Sequence, residues 1–190
     1  MLTTTDSKEK WFSVAAAVGK LGSLARNSLF LFEINKNNTD LNEDILFACE
    51  SCDMPQAQNT PITVPWMNSE YKIPGPTKYQ DITATYRIKE KDDIVYSSLY
   101  DWYNKIYNPK TGVMESQIGN YTTTAFLKLI GYDGTFRRQW TIYNMFPTNF
   151  GGVKLSRTDD NIQIISITFA YLYATVQGVN GETEDLAPIT

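Results

Sequence analysis

The run Ile162-Gln163-Ile164-Ile165-Ser166-Ile167-Thr168-Phe169-Ala170-Tyr171-Leu172-Tyr173 decides the fold class. Successive side chains of a strand point to opposite sides, so Ile165, Ile167, Phe169, Tyr171 and Tyr173 share one face while Ser166, Thr168 and Ala170 share the other. One side belongs to a core; the second is small and fairly polar. Tyr79 to Lys89 repeats the pattern, with Ile82, Ala84, Tyr86 and Ile88 opposite Asp81, Thr83, Thr85, Arg87 and Lys89. Period-two segments with one wet side are the mark of an antiparallel sheet covering a core.

Further strands follow from β-branched and aromatic content. Ser28 to Asn35 reads as one, and Ile45 to Glu50 as a second that returns across the polar turn Asn35 to Asp44 to make a hairpin. Tyr121 to Tyr132 and Thr135 to Met145 flank Asp133-Gly134, the chemistry of a two-residue hairpin turn, and the chain is expected to turn again over Phe146 to Gly152. Between Met54 and Pro76 stand Pro55, Pro61, Pro65, Pro74 and Pro76; lacking an N–H, they confine the segment to a projecting loop or edge hairpin. The period changes once, over residues 92 to 107, where Val95, Leu99, Trp102 and Ile106 recur at helical spacing behind Asp92 and Asp93, acids that suit a helix N-terminus. Asn108-Pro109 ends that helix.

Outside this body, Trp11, Val14, Ala15, Val18 and Leu21 give residues 1–25 the spacing of an amphipathic arm. Residues 174–190 read as an acidic, mobile tail. Six or seven strands and one packed helix make a mainly β domain over residues 26–173, an antiparallel β sandwich or partly open barrel.

Composition excludes several classes of function. In 190 residues, 17 Lys and Arg stand against 21 Asp and Glu, a balance too acidic for tight binding of nucleic acid through its phosphates. There is no histidine, which removes the Ser-His-Asp triad, the Cys-His pair and imidazole-ligated zinc. Cys49 and Cys52 supply half of a zinc site at most and lack the helical βαβ setting of a redox motif, so they read as reduced thiols. Asp159-Asp160-Asn161 lacks the glycine and distal glutamate of a calcium loop. Asp92-Asp93 reads as helix-terminal acids before a metal pair, and Arg137-Arg138 as an exposed pair or an inter-subunit ion pair. The chain has neither a convincing signal peptide nor an apolar run long enough for a membrane span, and no cofactor or catalytic motif is indicated.

Four places, in matching order and spacing, resemble the tail tube protein of contractile-tailed bacteriophages. They are Leu29-Phe30-Leu31-Phe32-Glu33-Ile34, Phe47-Ala48-Cys49 with Met54-Pro55, the helix ending near Trp102, and Phe146-Pro147-Thr148-Asn149-Phe150-Gly151 followed by Asn161-Ile162-Gln163 and the final strand. The resemblance implies a structural virion protein without enzymatic activity, located in the virion tail and assembled in the host cytoplasm. Its subunits close into hexameric rings whose strands join as one continuous β barrel, and the rings stack into the inner tube through which DNA passes without specific binding. The implied partners are the chain itself, the contractile sheath subunit, and baseplate and tail terminator proteins. Residues 1–25 and 174–190 depart from the short family form, which leaves the main tube, a tube-initiating baseplate protein and the tube of a phage-like injection machine as rival roles.

Within the resemblance, the candidate inter-subunit contacts are Pro55, Pro61, Pro65 and Trp66 in the proline-rich segment and Pro147, Thr148 and Asn149 in the expected turn. From Glu33 to Glu70 seven acids oppose the single base Lys36, an excess that either faces the channel, where it repels DNA, or forms a solvated face. The competing reading from another class is a monomeric β-sandwich ligand-binding module.

Overall fold

Two antiparallel sheets share one long strand, and a single bend in that strand sets the architecture. The computed structural model describes residues 28–35, 39–91, 93–131, 136–152, 161–177 and 183–185, with backbone alone at 39–43 and 183–185. In chain order the elements begin with β1 (Phe30–Asn35), α1 (Thr39–Ala48), β2 (Cys49–Cys52), β3 (Gln56–Asn59), β4 (Ile62–Trp66), β5 (Ser69–Ile73), β6 (Thr77–Gln80) and β7 (Ile82–Arg87). They continue with α2 (Ile94–Ile106), the short pair β8 (Tyr107–Asn108) and β9 (Val113–Met114), α3 (Ile118–Tyr121), β10 (Thr123–Ile130), β11 (Phe136–Phe150), β12 (Ile164–Ala170), β13 (Tyr173–Gln177) and β14 (Thr183–Asp185). The mainly β expectation holds, with more and shorter strands than anticipated and three helices instead of one among the described residues.

The first sheet runs β1-β10-β11-β13-β14 and the second β11-β12-β7-β2. Asn144 is the pivot between them. Its φ is 51°, a left-handed value that asparagine accepts more readily than most residues, and the β10 register jumps across it, from Met145 opposite Thr123 to Ile142 opposite Ala125. An extra residue bends a strand and increases its twist, so β11 pairs with β13 up to Tyr143 and with β12 from Phe146 onward. The last strand breaks at the same level, where the Leu172 N–H donates to the Tyr143 carbonyl at 3.1 Å. The strand expected over Ile162 to Tyr173 is therefore two, one per sheet, because the corner must be turned by both partners at once.

The alternating faces meet in one core. Phe32, Ile34, Ala125, Leu127, Trp140 and Ile142 of the first sheet and Ile82, Ala84, Tyr86, Ile165, Ile167 and Phe169 of the second are all buried. Between them Phe169 lies with its ring centroid 6.3 Å from that of Phe32 and 5.7 Å from that of Trp102. Helix α2 buries Val95, Leu99 and Trp102, as their spacing predicts, and starts where the Asp93 carboxylate accepts the Tyr96 N–H at 3.0 Å, the stabilising arrangement of an N-cap. The expected Asp133-Gly134 turn, the arm at 1–25, Asp92 and Asp159-Asp160 lie outside the described residues.

Three segments depart from their sequence reading. Ile45 to Glu50 is mostly the last turn of α1 and not a strand: Ile45 and Ala48, three apart, are buried while Phe47 is 79% exposed, the helical period in place of the strand period. Phe146 to Phe150 stays in β11 and does not turn. Pro147 is buried opposite Phe169, and the ladder shifts register just after it, a bulge being where a strand tolerates proline. Beyond Ala174, where composition suggests a mobile tail, β13 continues to Gln177 and pairs with β14.

Candidate functional site

A projecting arm, open sheet edges and one polar and aromatic sheet face are the features with capacity for assembly. The arm, residues 56–80, is a two-tier hairpin in which β3 pairs with β6 and β4 with β5. Its root is clamped by Tyr171, whose hydroxyl accepts the Gln56 N–H at 3.2 Å and donates to the Gln56 carbonyl at 3.2 Å, with Tyr79 packed on the Tyr171 ring. The tiers meet at Thr60-Pro61 and Pro74-Gly75-Pro76, where prolines interrupt both ladders and a Cβ on Gly75 would lie 2.1 Å from the Thr60 carbonyl oxygen.

The outer tier is amphipathic. Directly opposed residues share a face, so the pairs Ile62 with Ile73 and Val64 with Tyr71, together with Trp66, form an apolar face, against Thr63 with Lys72 and Pro65 with Glu70 on the other. That face has no cover among the described residues: Trp66 is 63% and Met67, at the turn, 91% exposed. Met67 has φ of 51°, the sign that hairpin-compatible two-residue turns require. Sequence reasoning placed an arm here but missed this apolar face; the alternation of Ile62, Val64 and Trp66 was its signal, masked by the prolines.

Among the described residues the sheets do not close on themselves. β1 and β2, at the ends of the strand path, are not paired with each other, and β14 ends the branch beyond β13. Unpaired strand borders invite pairing with another chain. The face of the first sheet turned away from the core carries Glu33, Phe126, Lys128, Gln139, Thr141, Tyr143, Tyr173 and Gln177. Lys128 bridges to Glu33 at 2.7 Å and the Tyr143 and Tyr173 rings stack at 4.6 Å, so the face is largely polar and aromatic and half-buried, with Thr175 buried on it opposite Thr141.

Five of the seven acids of residues 33–70 have described side chains. Glu33, Asp44 and Glu50 pair with Lys128, Lys89 and Arg87, Asp53 accepts the Thr83 N–H at 3.2 Å, and Glu70 sits on the arm. Among the described residues no cluster of three metal-ligating side chains occurs. Burial raises the Cys49 thiol to about 12 and pushes Cys52 higher still, leaving almost no thiolate at neutral pH and hence little nucleophilicity. Burial likewise raises Tyr86, whose hydroxyl has no hydrogen-bond partner among the described residues. A cleft of about 380 Å³ between α2, α3 and the ends of β1 and β10 offers Asp101 and Lys105 beside amides and hydroxyls.

The seven contact candidates do not share one place in the fold. Pro65 and Trp66 lie on opposite faces of the exposed outer tier and Pro61 is exposed at the joint below it, whereas Pro55 is buried at the root of the arm. Pro147 is buried in the core, while Thr148 and Asn149 are exposed beside it, with the Thr148 hydroxyl donating to the Thr168 carbonyl at 3.2 Å. Gly151 closes that stretch by lying against Ser166, where a Cβ would come within 2.6 Å of the carbonyl oxygen. Trp102 and Trp140 are core residues, the Trp102 indole donating to the Tyr121 carbonyl at 2.6 Å.

Comparison with known proteins agrees with this architecture. Residues 30–175 match the family described as T4-like virus tail tube protein gp19. A tail tube protein of Serratia phage KSP90 is 22% identical over 118 residues, which cover 62% of this chain and 66% of that protein, slightly under two thirds of its length. Among solved structures, the tube-terminating cap of the anti-feeding prophage superposes with a TM-score of 0.64 at 17% identity, covering 83% of this chain and 93% of that one. The sheath-tube complex of an extracellular contractile injection system gives 0.60 at 17% identity, covering 93% and 100%; at such identity these two likenesses speak for the fold. The family match runs from β1 into β13 and takes in helix α2 and the arm, and the chain belongs to the T4-like virus tail tube protein family.

Proposed function

We propose that this tail tube protein closes into hexameric rings that stack as the inner tube of a contractile tail, the conduit for DNA during ejection. The observation that carries the reading is the open first sheet: one face packs the core, the other carries polar and aromatic side chains, and its borders, β1 on one side and β13 with the short β14 on the other, offer edges for another copy. Rotation about a ring axis brings one border of each copy against the opposite border of the next, a heterologous contact that closes. The arm, with its uncovered apolar face, supplies a second contact to a neighbour. The role is structural and non-enzymatic, in keeping with the inert thiols and the family. The sheath subunit, baseplate and terminator proteins are its further partners, DNA passes without specific binding, assembly takes place in the host cytoplasm, and residues 1–25 serve as an additional arm. Negative-stain electron microscopy of the purified chain tests the proposal: rings or hollow filaments are expected, and a monodisperse monomer at high concentration refutes it. Recovery from isolated tails in amounts equal to the sheath subunit distinguishes the main tube from a relative at its ends.

A further inference from the structure

We infer that β14 is a displaceable cap on the edge of β13 and competes there with β1 of a second copy, an inference that rests on the ring reading above. The argument is one of strand direction. Every neighbour in the first sheet is antiparallel, so β1, β11 and β14 run one way while β10 and β13 run the other. A ring operation preserves that sense. An incoming β1 therefore meets β13 antiparallel, continuing the pattern of the sheet, but meets β14 parallel, which would place one weaker, parallel pairing in an otherwise antiparallel sheet.

Length favours the same exchange. β14 covers only Thr175, Val176 and Gln177, whereas β1 offers the six residues Phe30–Asn35 to the five of β13. The register of β14 stops at Thr175, leaving the border at Tyr173 and Ala174 open to the first contacts of an incoming strand. A three-residue edge strand with Glu184 and Asp185 among its residues also has the short, charged character that keeps sheet borders from indiscriminate pairing. The cap thus covers the edge of β13 in the free subunit and yields to a longer strand of the correct sense as copies meet.

The test uses the full chain and a fluorescent peptide of residues 28–35. A chain ending at Gln177 removes β14 without touching the core, and the double substitution Thr183→Pro with Glu184→Pro, which strikes a ladder donor in either phase of the alternating pairing, serves as the second variant. Both should bind the peptide at least tenfold more tightly than the unmodified protein. Equal affinity overturns the inference, and weaker binding by the variants overturns it by making β14 itself the receiving edge. Electron microscopy of the same samples is scored separately: a tenfold gain in affinity with rings from none of the proteins upholds the competition and refutes the ring.

Discussion

Gly75→Ala should disable assembly while leaving the subunit folded. The added Cβ would stand 2.1 Å from the Thr60 carbonyl oxygen, and real Cβ contacts shorter than 3.0 Å are essentially absent, so the two strands of the arm must separate at this joint by about 1 Å. Across strands about 4.8 Å apart, that opening tilts the outer tier by about 12°, and over its five-residue length of about 17 Å the tip moves by about 3–4 Å. Trp66 and Met67 ride on that tip. A seated tryptophan contributes at least about 2 kcal/mol to an interface, so its displacement should raise the concentration at which filaments appear by at least about tenfold. The core is untouched, and thermal unfolding should shift by no more than about 2 °C. The assay is paired: light scattering for the assembly threshold and circular dichroism for the melt. Filaments at the unmodified threshold would show that the arm does not carry a contact; a large fall in melting temperature would show that the arm and core are one cooperative unit.

Phe169→Ala removes a fully buried ring between Phe32 and Trp102 and should cost about 3–5 kcal/mol in chemical denaturation. Asp93→Ala removes the cap on the Tyr96 N–H and should cost about 1 kcal/mol, whereas Asp93→Asn should retain most of it. Cys49 has its pKa raised from 9.0 to about 12; above pH 9 the unfolded thiol releases its proton while the folded one keeps it, so stability must fall as pH climbs toward 12. In Cys49→Ala that alkaline slope should be shallower, as measured by denaturant titrations from pH 8 to 11.

Helix α2 was legible because Val95, Leu99 and Trp102 all meet one surface, so its period is written in full. The alternating segments β7 and β12 were legible for the same reason, each having one buried and one wet face. The six residues from Ile45 to Glu50 satisfy both periods, and only the packing of Ile45 and Ala48 resolves the first four as helix, with Cys49 and Glu50 opening β2. The glycine at 75 gives no hint in sequence of the carbonyl that lies against it, and the seven contact candidates, adjacent in two stretches of chain, separate into core and surface residues once folded.

Local period and composition already specified a mainly β, histidine-free chain with a proline-interrupted arm, since these properties depend on neighbours within a few residues. Where β11 bends, which strands lie at the borders and what β14 covers depend on residues far apart in the chain, Tyr143 with Leu172 and Thr175 with Asp185. Such pairings follow from closing two sheets over a shared core, and backbone hydrogen bonds, which every residue type but proline can donate, leave no mark in the sequence of which strands they will join.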